Sequence, residues 1–412
     1  MSYKISYIVL LVFMLSSLMG FAQVNVVTVN TSYDHEMGFD LDMNTASSLN
    51  NAMLNASGFI DNDLKDENFN RLTSLNQGGS NVDLKLFYRQ NRAELWGVKN
   101  LGFYFALEWH FMDEHQFTKD LYSLILYGNK DFAGQEADLA YSGRQQINYY
   151  QFKMGLQKQS ENNKHVFGAN LGLNLGNQFT AFQFNDLSSF YTSPLGKEVR
   201  LTSNLEYYQS DTAAMQWYQM NGVGASVDLF YKYQKKDNYS IAFSVENLGF
   251  IHWNKNTLNL KEEKVHVFEG VEVDNIFDIP EPLVKSDDTL NDYINANTSK
   301  LATSFWTPVD LKIRYKQFFM SKKIEMSALI HYRMFSYMKP LYQLDATYKL
   351  TKTLKLGPIL SYGGYTAFNA GLKLEFNFAD SYFIKLESRY ITGFAQHSFS
   401  GMGGFINFTY KI

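Results

Sequence analysis

The stretch HVFGANLGLNLG, residues 165–176, alternates between apolar and small polar side chains. Phe167 and Leu171 fall on one face, whereas Asn170 and Asn174 fall on the other. A period of two predicts a β-strand, because neighbouring side chains of a strand point to opposite faces of the sheet. In a soluble sandwich the apolar row would face a core, but in a membrane barrel it would face lipid and the polar row would face the interior.

The second half of the chain repeats this alternation in segments of roughly 10 to 13 residues, separated by tight polar turns. These turns are predicted at residues 235–238, 319–322, 350–353 and 378–381. A tilted strand needs about 9 to 11 residues to cross a bilayer, whereas strands of soluble proteins most often have about 5 or 6. Strand length therefore favours a membrane barrel over a secreted soluble β-protein.

Charged side chains occupy the row that would face the interior of such a barrel. Within residues 307–318, four charged residues share one face and apolar residues share the other. Unpaired charges would be very costly in a dry core, but a wet lumen accepts them. The predicted lumen-lining residues are Asn170, Asn174, Asp310, Lys312, Arg314 and Lys316.

The predicted fold is all-β: a transmembrane antiparallel β-barrel of about 14 to 16 strands, with short helices in its N-terminal region and loops. The sequence contains 15 candidate strands, whereas single-chain bacterial barrels usually have an even number. One candidate is therefore spurious or one strand is missing, and residues 23–33 could supply the missing strand. The candidate strands are residues 82–90, 100–112, 146–158, 165–175, 178–188, 198–209, 221–234, 238–249, 306–318, 323–335, 339–350, 353–362, 366–378, 381–392 and 402–412.

The order of turns predicts how the barrel is oriented. If the C-terminus is periplasmic, all the tight turns lie on the periplasmic side and the long connections lie outside, as is usual in such barrels. The largest predicted external loop spans residues 251–304. Helical spacing at residues 44–59 and 116–129 predicts plug helices or loop helices within the regions 35–80 and 113–145.

The N-terminus predicts export from the cytoplasm. Lys4 is the only charged residue before a long apolar run, residues 5–20, which is followed by Phe21-Ala22-Gln23. This arrangement is typical of a signal peptide at residues 1–22, cleaved after Ala22. An uncleaved membrane helix is the alternative. Residues 23–412 are then expected to form one barrel domain in the outer membrane of a Gram-negative cell, with membrane lipid as its surroundings.

Composition agrees with an exported β-protein. The chain has no cysteine, so disulfides and thiolate metal sites are excluded, and its net charge of −4 does not indicate a nucleic-acid partner. It has 28 Tyr and 34 Phe but only 6 Pro. Many aromatics and few prolines suit extended strands, and tyrosine also suits a lipid–water boundary.

Two short motifs suggest chemistry, and both have a simpler interpretation. HSFSG places His397 beside Ser398 and Ser400, but it lacks the surroundings of a known nucleophile motif. The acidic run DNDLKDE, from Asp61, lacks the glycine of a calcium loop. We therefore expect solvated loops, no enzymatic activity, no cofactor and no metal site.

One longer segment, DLYSLILYGNKDFAGQEADLAYSGRQQINYYQFKMG, resembles a family of uncharacterised outer-membrane barrels from Bacteroidota, a domain of unknown function. The shared features are Gly128-Asn129, then Phe132-Ala133-Gly134 and a strand near Asn148. FDLDMNTASSLNNAML and LTSLNQGGSNVDLKLFY are also similar to that family's N-terminal part. The resemblance implies outer-membrane residence and a general form like that of fatty-acid-transporter barrels, with no established activity and no site residues.

Two functions fit these observations. The first is a passive channel or transporter for a small or hydrophobic solute, lined by the polar rows. The second is a non-conducting structural or accessory barrel that binds a secretion, assembly or surface-lipoprotein partner through its external loops. An open lumen would indicate the first function, and a plugged barrel the second.

Overall fold

Fourteen strands of the described chain form one closed antiparallel wall. The computed structural model describes residues 35–54, 60–95, 97–214, 216–235, 238–269, 298–379, 381–391, 393 and 400–411. The predicted signal peptide lies outside these residues, as do residues 270–297 of the predicted external loop. With strands numbered in chain order, the wall consists of β1 (His35–Ser47), β2 (Leu75–Leu95), β3 (Val98–Thr118), β5 (Gly143–Gln159), β6 (His165–Phe184), β9 (Gly222–Lys235), β10 (Tyr239–Trp253), β14 (Val309–Phe319), β15 (Ile324–Met334), β16 (Lys339–Lys349), β17 (Leu354–Gly364), β18 (Phe368–Phe378), β19 (Tyr382–Ser388) and β20 (Met402–Lys411).

The first and last strands close the ring. β20 pairs antiparallel with β1 from Thr45↔Met402 to Glu36↔Lys411, and every other wall strand pairs with the next one in the order given above. Because a closed ladder leaves no strand edge, all the wall strands can share their backbone hydrogen bonds. The predicted antiparallel β-barrel is confirmed, with a strand number inside the predicted range.

Three of the strand assignments from sequence need correction. The candidates at 165–175 and 178–188 are parts of one strand, β6, whereas the candidate at 198–209 lies outside the wall. The missing strand is β1, His35–Ser47, and the alternative at 23–33 falls outside the described residues. β1 includes the first residues of the segment predicted to be helical.

Alternation along the strands gives the wall two different faces. In β6 the side chain of Leu171 is 64% exposed on the outside, whereas Asn170 is 4% exposed and lies inside. The same alternation of exposed and buried positions runs along β14 to β18. The outer surface is therefore apolar and the interior polar, which reverses the arrangement of a soluble sandwich.

The two ends of the barrel differ in their connections. One end, called here the short-turn end, carries the tight turns that join β14 to β15 and β16 to β17, together with the described termini His35 and Lys411. The other, the long-loop end, carries the long connections, including those between β1 and β2 and between β10 and β14. The predicted separation of tight turns from long connections matches this arrangement.

A small extension of the sheet stands at the long-loop end. The strands outside the wall are β4 (Gln135–Asp138), β7 (Ser189–Thr192), β8 (Glu198–Gln209), β11 (Leu258–Glu269), β12 (Ser299–Lys300) and β13 (Thr303–Trp306). The central strand of the extension is β8, which pairs with the last residues of β6 and with β11, and β7 pairs with both β8 and β4.

Short helices occupy the same end. They are α1 (Asn51–Leu54), α2 (Asn62–Arg71) and α3 (Lys119–Tyr127), with a 3₁₀ turn at Lys130–Phe132.

The predicted helix at 116–129 contains α3, whereas the one at 44–59 is reduced to α1 among the described residues. The Tyr127 hydroxyl donates to Asp66 Oδ1 at 2.6 Å, which joins α3 to α2. In the described part of the chain, no helix has the length and apolarity needed to cross a membrane.

Closure of the ladder predicts resistance to detergent. We expect the unboiled protein to migrate faster on a denaturing gel than the boiled protein, because a closed barrel stays compact until heat opens it. A matched variant without residues 402–411, which cannot pair β20 with β1, should show one mobility in both conditions. Equal mobility of the full chain before and after boiling would contradict the closed ladder.

Candidate functional site

The interior of the barrel holds a cavity of about 120 Å³ lined mostly by ionisable side chains, called here the ionic cavity. It has room for several water molecules. Seven carboxylates face four cationic side chains and two histidines, so carboxylates are in excess. The carboxylates are those of Asp40, Asp42, Asp83, Glu108, Asp228, Glu246 and Asp310, the cations are Lys85, Lys153, Lys312 and Arg333, and the histidines are His110 and His331.

Lys153 is the centre of the first group in this cavity. Its ammonium lies 3.0 Å from Glu108 Oε2 and 3.0 Å from Asp228 Oδ2, and it donates to Asn247 Oδ1 at 2.7 Å. Asn170 donates to Asp228 Oδ2 at 3.1 Å. Lys153 itself is 3% exposed, and a cation so deeply buried is stable only with such partners.

A bulge in β10 brings Asn247 into this group. The pairing of β10 with β9 shifts register between Val245 and Leu248, and Asn247 has a φ of 63°. Asparagine tolerates this left-handed conformation better than most residues. The bulge turns Asn247 inward, where its backbone N–H donates to Asp228 Oδ1 at 2.8 Å, as bulges beside functional sites often do.

Asp310 is the centre of the second group. Its Oδ1 lies 2.7 Å from His331 Nε2 and accepts from Arg333 Nε at 2.8 Å. Lys312, two residues along β14, donates instead to Glu246 Oε2 at 2.6 Å. Strands β10, β14 and β15 therefore contribute to one ionic network.

His110 links the first group to the neighbouring strand β2. Its Nδ1 lies 2.6 Å from Asp83 Oδ1, and its Nε2 lies 3.1 Å from Glu108 Oε2 and 2.9 Å from Gln151 Oε1. Both ring nitrogens thus face oxygen atoms, which fixes the orientation of the ring.

A further ionic group lies on β16, β18 and β19. Lys373, with no exposed surface, has its Nζ 3.2 Å from Asp345 Oδ1, 3.2 Å from Glu375 Oε1 and 3.6 Å from Glu387 Oε1. The interior is thus occupied by paired charges at several levels.

All six residues predicted to line a lumen have inward positions, but the cavity gathers only three of them. Asn170, Asp310 and Lys312 line it. Asn174 is fully buried and accepts from Gln151 Nε2 at 2.9 Å.

The other two lie nearer the short-turn end. Arg314 is 2% exposed, and Lys316 donates to Glu325 Oε1 at 2.8 Å. The charged row of β14 was expected to be accommodated by a wet lumen, but its lysines and its aspartate are paired with side chains of opposite charge.

The barrel is crossed at the long-loop end by the turn between β15 and β16. Glu114 of β3 has no exposed surface, and its carboxylate accepts from Ser336 Oγ at 2.6 Å and from the Tyr337 backbone N–H at 2.9 Å. Gln145 Nε2 donates to the same carboxylate at 2.9 Å, and the Tyr365 hydroxyl also donates to it. One carboxylate therefore holds four donors together.

These contacts join nearly opposite parts of the wall. In the pairing order β3, β5, β6, β9, β10, β14, β15, six steps separate β3 from β15 in a ring of fourteen strands. Gly79 of β2 lets the ring of Tyr365 lie against the inner wall, because an added Cβ would be 2.6 Å from Tyr365 Cζ. Met338 packs with Ala46, Tyr365 and Tyr390 in an apolar cluster.

The turn between β15 and β16, residues 335–338, is called here the crossing turn. It lies next to the ionic cavity, because Met112 and Arg333 line the cavity. Met112 is two positions along β3 from Glu114, and Arg333 is two positions before Phe335 of the turn. The crossing turn therefore lies between the ionic cavity and the long-loop end.

The motifs weighed for catalysis or metal binding have structural roles where they are described. Asp61 caps α2 by accepting from the Leu64 backbone N–H at 2.8 Å, and Ser400 accepts from Arg71. His397 and Ser398 lie outside the described residues. The described side chains include no group of three or more His, Asp or Glu that could hold a metal ion.

Sequence reasoning missed most partners of the predicted residues. The alternation in β3 could have revealed Glu108 and His110, because both fall on the inward face together with Glu114. No sequence pattern marks the crossing turn, in which Phe335 and Ser336 form hydrogen bonds with Gln145 and Glu114, 190 and 222 residues away along the chain.

Comparisons with known proteins give a family and a set of distant structures. The model of a family of unknown function (DUF5723) matches residues 29–384. A search of curated proteins found no match. Among solved structures, the chain is similar to the toluene transporter TodX of P. putida, with 11% identity, a TM-score of 0.42 and coverage of 92% of this chain and 90% of that chain.

Two further structures are also distantly similar to this chain. A Pseudomonas aeruginosa FadL homologue has 9% identity and a TM-score of 0.41, with 92% of this chain and 89% of that chain covered. The translocator domain of the autotransporter NalP from Neisseria meningitidis has 6% identity and a TM-score of 0.35, with 94% and 91% covered. The strand pairing of this chain alone establishes its barrel fold.

The Lys153 group predicts that lysine substitutions on the two faces of β5 have very different effects on the free energy of unfolding. Lys153→Met should lower the free energy of unfolding by about 3 to 5 kcal/mol, because it leaves the carboxylates of Glu108 and Asp228 without their buried cation. Lys158→Met, on the outward face of the same strand, is the matched control and should change it little. Urea titration of the refolded barrel measures both, and equal effects would contradict the ionic role of Lys153.

Proposed function

The chain belongs to the DUF5723 family, and we propose that it spans the outer membrane of a Gram-negative cell as a barrel that is shut in the described conformation and opens to pass small hydrophilic solutes. The observation that carries this proposal is the contrast between an apolar outer face and a charged interior. Membership of a family of unknown function agrees with the resemblance seen in the sequence. The origin of this chain in Bacteroidota stays a prediction.

The outer face supports the membrane part of the proposal. Large apolar side chains are exposed in the middle of the wall, among them Leu107 (55%), Leu171 (64%) and Leu344 (61%). Soluble monomers rarely expose contiguous apolar patches of more than a few hundred Å². A continuous apolar surface around a closed barrel is expected where lipid replaces water.

Aromatic rings near the barrel ends support the same placement. At the short-turn end, the ring of Tyr239 lies 6.0 Å from that of Tyr233 and 6.1 Å from that of Tyr315. At the long-loop end, Trp306 and Phe335 stack at 5.6 Å. Girdles of aromatic side chains mark the two lipid–water interfaces of outer-membrane barrels.

The orientation follows the usual rule that short turns are periplasmic and long loops extracellular. The predicted signal peptide at residues 1–22 would deliver the chain to the periplasm, from which it would insert as one domain, residues 23–412. The crossing turn would then close the barrel toward the cell exterior.

The membrane placement predicts different outcomes for two exposed leucines. Leu171→Arg, near the middle of the wall, should lower the free energy of unfolding in lipid by about 2 to 4 kcal/mol, because the charge faces hydrocarbon. Leu195→Arg is the control, since Leu195 is 81% exposed in the extension at the long-loop end and should tolerate the charge. Urea unfolding in liposomes compares them, and two neutral substitutions would argue that Leu171 faces water.

The interior supports a hydrophilic solute in preference to a hydrophobic one. An apolar molecule in the ionic cavity would separate buried charges from their partners, and that cost is large. A small polar or cationic solute could replace water there and contact the excess carboxylates. The proposal assigns no catalytic step and no cofactor to these residues.

Opening requires the crossing turn to leave Glu114. Glu114→Ala removes the acceptor of four hydrogen bonds, and bonds to a charged group contribute about 1.5 to 3 kcal/mol each. Loss of only part of that stabilisation, about 3 kcal/mol, would shift the balance between closed and open states about 100-fold. We therefore expect Glu114→Ala to raise the open probability in planar bilayers by about 100-fold.

The control for this experiment is the neighbouring residue on the other face. Asp113 pairs with Arg144 at 2.6 Å, and this pair is much more exposed. Asp113→Ala should leave the open probability unchanged. If Glu114→Ala folds, as judged by the gel shift, and still carries no current, the channel proposal fails.

The second candidate is a non-conducting barrel that binds a protein partner. Two observations support it. The crossing turn spans the interior, which by the criterion drawn from the sequence favours a plugged barrel, and apolar side chains are exposed on loops at the long-loop end, where Leu187 is 79%, Trp217 72% and Tyr218 61% exposed. Such residues are common in binding surfaces. The absence of current in Glu114→Ala would favour this candidate.

A further inference from the structure

Five buried side chains on two neighbouring strands have polar atoms without a hydrogen-bond partner among the described residues. They are Ser327 and His331 on β15 and Gln343, Asp345 and Thr347 on β16, all no more than 4% exposed. The atoms are Ser327 Oγ, His331 Nδ1, both amide atoms of Gln343, Asp345 Oδ2 and Thr347 Oγ1.

The pairing of β15 with β16 places these side chains in one row. Ser327 is opposite Asp345, Gln343 is opposite Leu329, and Thr347 is opposite Glu325. With a rise of about 3.4 Å per residue, the row extends for about 20 Å. It begins at His331, which lines the ionic cavity, and ends at Thr347, two residues before the short-turn end of β16.

Protein neighbours satisfy only part of this row. His331 Nε2 lies 2.7 Å from Asp310 Oδ1, but the ring's other nitrogen has no partner. Lys373 donates to Asp345 Oδ1 at 3.2 Å and leaves Oδ2 without one. The first two levels of the row also hold the buried apolar side chains of Leu341, opposite His331, and Leu329, opposite Gln343. Buried polar groups in native proteins almost always have a protein or water partner, so the unsatisfied atom at each level indicates a bound water.

Inward serines on β9 and β10, two to four strands along the wall, differ from this row. Ser226 on β9 donates to Asn174 Oδ1 at 3.1 Å, and Ser244 on β10 donates to Glu246 Oε1 at 2.8 Å. Both are as buried as Ser327. Burial and residue type are therefore matched, whereas hydrogen-bond satisfaction is not.

We propose that the inner faces of β15 and β16 form a hydrated path that joins the ionic cavity to the short-turn end and admits small hydrophilic solutes. This inference rests on the proposed function and deepens it by identifying the route below the crossing turn. The cavity then communicates with the short-turn side even when the long-loop side is shut. The crossing turn is then the barrier to passage, and the β15–β16 row is the route that leads from the short-turn end to the cavity beneath it.

Because the natural chain has no cysteine, single cysteines can report whether water reaches the row. Ser327→Cys and Thr347→Cys are exposed in detergent to 2-aminoethyl methanethiosulfonate, a small cationic reagent that needs a hydrated thiolate. We expect both to react at least about tenfold faster than the matched controls Ser226→Cys and Ser244→Cys. Two path positions are used so that one misfolded variant does not prevent the test.

Mass spectrometry follows the disulfide formed with the reagent, and the gel shift on boiling confirms that each variant is folded. A smaller ratio than tenfold at the folded path positions overturns the hydrated path. Conductance of Glu114→Ala separates this result from the proposed function: current without preferential labelling would place the route elsewhere in the barrel. Preferential labelling without current would support the hydrated path and exclude the channel.

Discussion

The closed strand ladder is the constraint on which the rest of this structure depends. Once β20 pairs with β1, every second side chain of every wall strand must lie inside. Because apolar side chains occupy the outer positions, Lys153, Asp228, Asp310 and their neighbours must lie in the confined interior. These residues are buried by the topology of the wall, although water would solvate each of them better.

Confinement explains why the interior consists of pairs. A buried ion pair adds little stability compared with an apolar substitute, but removal of one partner is costly. The residues around Lys153 and Asp310 thus depend on one another, and under the proposed function a solute would enter only where polar atoms remain available. The row from His331 to Thr347 offers such atoms, whereas the inward serines of β9 and β10 do not.

The sequence predicts those features that depend on short-range periodicity. Alternation in β14 identified the inward position of Lys312, and tight turns indicated which ends of the strands lie together. It failed where the information is not local: β1 was missed, β6 was divided, and β8 was placed in the wall. The contact of Glu114 with Ser336 joins residues 222 positions apart, and no spacing in a single sequence encodes that distance.

The way the interior is closed narrows the kind of transport that this chain could perform. A hydrophobic molecule would have to pass charges that can be neither removed nor left unpaired at low cost. A hydrated ion or a small polar molecule can exchange hydrogen bonds with the same groups. Displacement of the crossing turn would then join the route of this solute to the long-loop side. In the proposed channel, passage would therefore depend on the Glu114 contacts, and selectivity on the ionic cavity beneath them.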